Sequence, residues 1–201
     1  MKKYPFILAL TSLVYFLSIP LLSAGTVVGL VQAPKRVKKV IVYLKREKPA
    51  KQNEPVQKHL VSQKDTHFKP ALWIISEGDS IEWANNETKE IDHNIFSLNA
   101  LNRFDLGLGA KGSKLAQSFS KSGVLNYYCS IHKEMEGKII ILPSRYYQLL
   151  DKPTHFKIKN LPEGKWILDA VVLHRRYKAV PIKLTIGKDT VNNLNLSIVK
   201  R

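Results

Sequence analysis

Short runs of β-branched and aromatic residues, broken by Gly, Pro, Ser and Asn, set the pattern of this chain, and nothing after residue 24 repeats its apolar positions every 3.6 residues. Residues 25–32 (GTVVGLVQ) and 37–44 (VKKVIVYL) read as two strands. Residues 47–62 mix Lys, Gln and Pro without period and are expected to form a polar loop. Strand signals then follow over 72–76, 81–84, 94–98, 117–120, 124–129 and 138–142. Ile81 and Trp83 share one face with Glu82 on the other, and alternation puts Leu125, Tyr127 and Cys129 together on an inward face. Beyond Pro143 the pattern restarts over 156–159, 165–173, 180–186 and 193–199. The expected fold class is all-β, with one sandwich over 63–143 and a second, smaller one over 153–201. Four strands make a thin sandwich alone. Residues 25–46 are the candidate partners, which would leave the middle segment inserted into a discontinuous second unit.

The first 24 residues differ. Lys2 and Lys3 precede an apolar run from Pro5 to Leu22, and the small pair Ser23-Ala24 precedes Gly25, the layout of a secretory signal peptide cleaved after Ala24. The alternative is an uncleaved membrane anchor, since the run is near the minimum for a bilayer span. Either way the expected location is periplasmic or secreted.

Charge divides the chain along the same boundaries. The 201 residues carry 32 Lys and Arg against 16 Asp and Glu, a net charge of +16. Residues 34–70 and 145–201 are each strongly basic, whereas 71–144 are slightly acidic. The basic excess therefore belongs to flanks around a nearly neutral middle. If those Lys and Arg runs are more than solvated faces, they would attract an acidic redox partner or an anionic membrane surface. Nucleic acid is a poor candidate for an exported chain.

Cysteines of exported proteins usually pair as disulfides, yet Cys129 stands alone. Met135 is the one Met after the leader, and the frame Cys129-x2-His132-x2-Met135 places three metal-binding types in one short loop. His93 joins them from another strand. Singly, a Cys at a strand end is usually a small buried hydrophobe, a Met is usually packing, and a His is more often a surface or core residue than a ligand; their coincidence reverses that weighting. Thiolate, two imidazoles and a weak thioether are the donor set of a mononuclear copper electron-transfer site, a compromise between soft sulfur for Cu(I) and nitrogen for Cu(II). Zn2+ on Cys129 and the two His is a weaker reading, which leaves Met135 without a task.

The segments Asp92-His-Asn-Ile-Phe-Ser97, Arg103-Phe-Asp-Leu-Gly107 and Asn126-Tyr-Tyr-Cys-Ser-Ile-His-Lys-Glu-Met135 resemble the cupredoxins, the blue copper proteins of the plastocyanin and amicyanin group. The stretch 63–142, with Gly78-Asp-Ser-Ile-Glu-Trp83, is also similar to the plastocyanin-like proteins called methylamine utilization proteins. The resemblance implies a Greek-key sandwich, one type 1 copper per chain with His93, Cys129 and His132 as equatorial ligands and Met135 as the axial one, and a backbone N–H of Asn94 bonded to the thiolate. Residues 153–201, through Phe156-Lys-Ile-Lys-Asn-Leu-Pro-Glu-Gly164, resemble the transthyretin and carboxypeptidase regulatory modules, which begin with a Gly-x-Val strand like Gly25-Thr-Val. Multicopper oxidases and copper nitrite reductases carry further His clusters; His59, His67, His155 and His174 form none. The expected function is an exported carrier of single electrons, not an enzyme. The alternative is a copper module for storage, delivery or sensing, whose second sandwich binds a partner.

Overall fold

The computed structural model describes residues 24–48, 55–188 and 191–201. The leader expected over 1–24 lies outside them, apart from Ala24. Among the described residues the regular structure is all strand. The chain enters through β1 (Ala24–Gln32) and β2 (Val40–Arg46). Its middle forms β3 (Lys58–Lys64), β4 (His67–Lys69), β5 (Leu72–Ser76), β6 (Ser80–Asn85), β7 (His93–Ser97), β8 (Phe104–Gly109), β9 (Lys114–Ser118), β10 (Gly123–Tyr128) and β11 (Glu136–Leu142). It leaves through β12 (Tyr147–Leu150), β13 (His155–Pro162), β14 (Gly164–Val172), β15 (Tyr177–Ala179), β16 (Ile182–Ile186) and β17 (Val191–Lys200).

Four sheets result, ordered β13-β1-β17-β15, β12-β2-β14-β16, β5-β11-β10-β7-β8 and β4-β3-β6-β9. β1 lies between β13 and β17, antiparallel to one and parallel to the other, and β2 lies between β12 and β14. The entering strands thus complete the sheets of the leaving ones. The middle segment makes its own two sheets.

Side-chain alternation shows how the sheets stack. On β2, Val40, Val42 and Leu44 enter one core with Leu150, Phe156, Trp166, Leu168 and Leu196, while Ile41 and Tyr43 point the other way. On β11, Ile139 and Ile141 join Trp83, Ile95, Leu125 and Tyr127 in a second core, and Ile140 and Leu142 point back to meet Ile41. Leu72 and Ile74 of β5, with Val171 of β14, widen this third layer of contact. The sheets are therefore four deep, with the β2 and β5 sheets back to back at the centre. This explains the unbroken apolar runs Val40-Ile-Val-Tyr-Leu44 and Ile139-Ile-Ile-Leu142: a strand covered on both faces has no polar side to alternate with.

A buried carboxylate ties the passage between the halves. Asp79, fully buried in the turn after β5, accepts hydrogen bonds from the N–H groups of Gln57 (2.8 Å) and Ser76 (3.0 Å) and from both terminal nitrogens of Arg145, at 2.6 and 3.1 Å. His59 Nε2 adds a contact at 3.1 Å. Burial alone would raise this carboxyl; Arg145, the two N–H groups and His59 outweigh it and hold the pKa at about 2.

One expectation is corrected. Residues 58–62, read as the end of a polar loop, begin β3, which runs parallel to β6 from Lys58 opposite Ser80 to Gln63 opposite Asn85. Its inward positions are Val61 and Gln63, and Lys58, Leu60 and Ser62 face outward or to the rim. One apolar inward residue in seven gives too little alternation to mark a strand in the sequence. β3 then reverses into β4 through Asp65 and Thr66 at φ 55° and 54°, a turn made without Gly and so equally unmarked.

Candidate metal centre

His93, Cys129 and His132 meet at one end of the middle sandwich. Their donor atoms all lie within 4.8 Å of one another. His93 is the first residue of β7 and fully buried; Cys129 directly follows β10 and is buried; His132 sits on the loop beyond it and is half-buried. The sheet brings them together because Tyr128 of β10 stands opposite Phe96 of β7, antiparallel, which carries the loop after β10 past the start of β7.

The loop is closed by its own backbone. Met135 N–H donates to the His132 carbonyl at 3.0 Å, and Cys129 N–H donates to the Met135 carbonyl at 3.1 Å, so the chain turns tightly enough to return into β11. Met135 is fully buried in the same core cluster as Cys129. Gly137 is needed just beyond: it stands opposite Tyr127, and a Cβ there would lie 2.2 Å from the Tyr127 ring.

The donor set fits one transition-metal ion. His93 Nδ1 and His132 Nδ1 are 3.2 Å apart, and Cys129 Sγ is 3.8 Å from His132 Nδ1. Donors that share an ion at bond lengths of about 2.0–2.3 Å stand roughly 3.3–3.8 Å from one another. A thiolate and two imidazoles suit copper or zinc, and Met135, buried in the same loop, carries a thioether, the soft donor type that copper uses.

Two sets of hydrogen bonds hold these side chains. Asn94 N–H donates to Cys129 Sγ at 3.4 Å. The Asn94 side chain is pinned across β8, its Nδ2 donating to Asp105 Oδ1 at 2.8 Å and to the Gly107 carbonyl at 3.1 Å. Asp105 is held below the usual carboxylate range by the Gly107 N–H and Asn94 bonds, so it stays an acceptor.

The second set was not visible in the sequence. Glu87, buried in the loop after β6, places Oε1 3.0 Å from His93 Nε2 and accepts the Thr66 N–H at 2.9 Å. Burial works to raise the Glu87 pKa, but the Thr66 and Asp65 backbone and His93 together keep it lowered. An ionised carboxylate at Nε2 fixes the proton there and leaves the Nδ1 lone pair aimed at Cys129 and His132, the arrangement that orients metal-binding imidazoles. Glu87 is one of three acidic residues in Glu87-Thr-Lys-Glu-Ile-Asp92, and nothing in that order marks which of them turns inward. Of the remaining His residues, His59 joins Asp79 and the other three join no donor cluster among the described residues.

No family model matches the chain, and no curated protein does. Solved structures similar to part of this chain include a Cu(I) form of an amicyanin mutant, at 16% identity over 41% of this chain and 80% of that one, with a TM-score of 0.38. A purple cupredoxin from Nitrosopumilus maritimus is 21% identical over 41% of this chain and 98% of its own, with a TM-score of 0.37. The copper-containing nitrite reductase of Thermus scotoductus SA-01 is 24% identical over 44% of this chain but 23% of its own length, with a TM-score of 0.40.

Proposed function

We propose that this chain is an exported type 1 copper protein that passes single electrons between redox partners and carries out no enzymatic reaction of its own. The observation that carries the reading is the convergence of His93, Cys129 and His132, with the Cys129 sulfur already accepting the Asn94 N–H. These three would hold the ion, with Met135 as a weaker fourth donor. Copper bound there supplies a one-electron couple. The protein's part is to keep the donors where they are: Glu87 fixes His93, Asn94 and Asp105 fix the sulfur's environment, and burial of His93 and Met135 keeps water from the inner side. A frame set by the sandwich leaves the donors little room to rearrange between oxidation states. His132 faces outward beside Ile131, which is 49% exposed, and this edge is where a partner approaches. The partner is an acidic protein surface or an anionic membrane surface, drawn by the basic flanks.

A second reading, copper storage, delivery or sensing, draws support from the flanking sandwich, which a simple carrier does not need. Voltammetry on protein loaded with one equivalent of Cu(II) separates the two. A reversible one-electron wave with the metal retained supports the carrier; loss of the metal on reduction overturns it in favour of delivery.

A further inference from the structure

We propose that a cationic crevice between the two sandwiches binds an acidic peptide segment of a partner protein, at a surface separate from the metal centre. The crevice, about 710 Å³, opens where the outer face of β10 and β11 parts from β14 and the β14–β15 connection. Lys138, Arg175, Lys178 and Arg201 line it, and an adjoining hollow of about 510 Å³, sharing Arg175 and Arg201, extends it past Arg176 and Lys200.

None of these six cations pairs with a carboxylate among the described residues, although seven Lys and Arg side chains elsewhere do. The one side-chain carboxylate in the lining, Asp169, already accepts from Tyr43 Oη at 3.1 Å and from the Ala170 N–H. The charge is therefore left for something outside the chain. A flat lipid surface meets protruding residues, but Lys138 lies in a recess beside Val124, Val171 and Pro181. A concave floor with apolar patches and a cationic wall suits an extended chain with carboxylates and some apolar side chains.

The position leaves the metal edge free. Val124 faces outward from β10, five residues before Cys129, which is roughly 16 Å of extended strand. A partner held at the crevice can keep its tail bound while its redox surface meets His132.

The test uses the full chain and a fluorescent peptide of alternating Glu and Leu, with vesicles of phosphatidylcholine and phosphatidylglycerol run in parallel. Binding should weaken steeply with salt, fall at least tenfold in Arg175→Glu/Arg201→Glu, and fall less than threefold in Lys121→Glu/Lys159→Glu, which makes the same change in net charge. Should the first variant fold poorly, Arg175→Gln/Arg201→Gln is expected to show the same ranking. Equal losses in both charge reversals would mean diffuse attraction only and overturn the proposal, as would binding to vesicles without binding to peptide. Cys129→Ser should leave peptide binding unchanged, so failure here and failure of the copper reading are told apart.

Discussion

The two sandwiches are built from the same kind of strand but bury different things. Every fully buried polar or charged side chain among the described residues lies between Gln63 and Ser97, in the middle sandwich. The flanking sandwich closes over an apolar core of Val27, Leu44, Phe156, Trp166, Leu196 and their neighbours. Buried polar groups cost stability unless each finds a partner. The middle sandwich offsets part of that cost with chains of contacts that end on the candidate metal donors, Thr66 to Glu87 to His93 and Asp105 to Asn94 to Cys129, whereas the buried Gln63 amide has no partner among the described residues. Buried polarity sets the middle sandwich, which holds the candidate metal donors, apart from the flanking one with its apolar core.

Substitutions can break or sharpen that contrast. The largest expected effect is at Asp79, where Asp79→Ala removes the buried carboxylate on which Arg145, His59 and the Gln57 and Ser76 N–H groups converge and should cost about 3–5 kcal/mol in denaturant unfolding. A cost below about 1 kcal/mol would mean that the buried network contributes little. Asp79 also has a pH signature. Its carboxyl titrates at about 2 in the folded chain against 3.8 ordinarily, so its stabilisation is present above about pH 4 and is lost as pH falls toward 2. That loss should amount to about 2 kcal/mol in the wild type, and Asp79→Asn should lack it.

Next comes Glu87→Gln, which keeps the size of the side chain and removes the ionised acceptor at His93 Nε2. Copper affinity should drop about 10–100-fold, read by competition with a chelator, while the unfolding midpoint of the metal-free chain moves little. An unchanged affinity would contradict the positioning role. The smallest effect is expected at the layer the two sandwiches share. Ile140→Val should cost about 0.5–1.5 kcal/mol and keep a single unfolding transition. Ile140→Asp should split the transition in two, because it puts an unpaired charge where the sheets meet back to back.

Much of this was legible in the sequence. Strands over 72–76, 81–84, 94–98 and 124–129 stand within a few residues of their predicted bounds, because each is a compact apolar run or alternation flanked by Gly, Asp, Ser or Asn. The frame from Cys129 to Met135 announced a cluster, since donors three residues apart in a turn need only one distant partner, His93, to close it. What escaped was set by tertiary contact. β3 has too few apolar positions to stand out, β8 is broken by Gly107 and Gly109, β12 has only four residues, and Glu87 owes its role to the β3–β4 turn, whose Thr66 N–H reaches it. The unbroken run from Val40 to Leu44 did hold a signal of burial on both faces, but single-face alternation does not teach one to look for it.

The central claim is that Cys129, His93 and His132 form one copper site, and the visible spectrum tests it most directly. Titration of the purified protein with Cu(II) should produce an intense absorption from thiolate-to-copper charge transfer that saturates at one equivalent, bleaches reversibly with reductant and is absent in Cys129→Ser. A pale adduct, an absorption that survives Cys129→Ser, or oxidation of the thiol in place of a stable colour would contradict it.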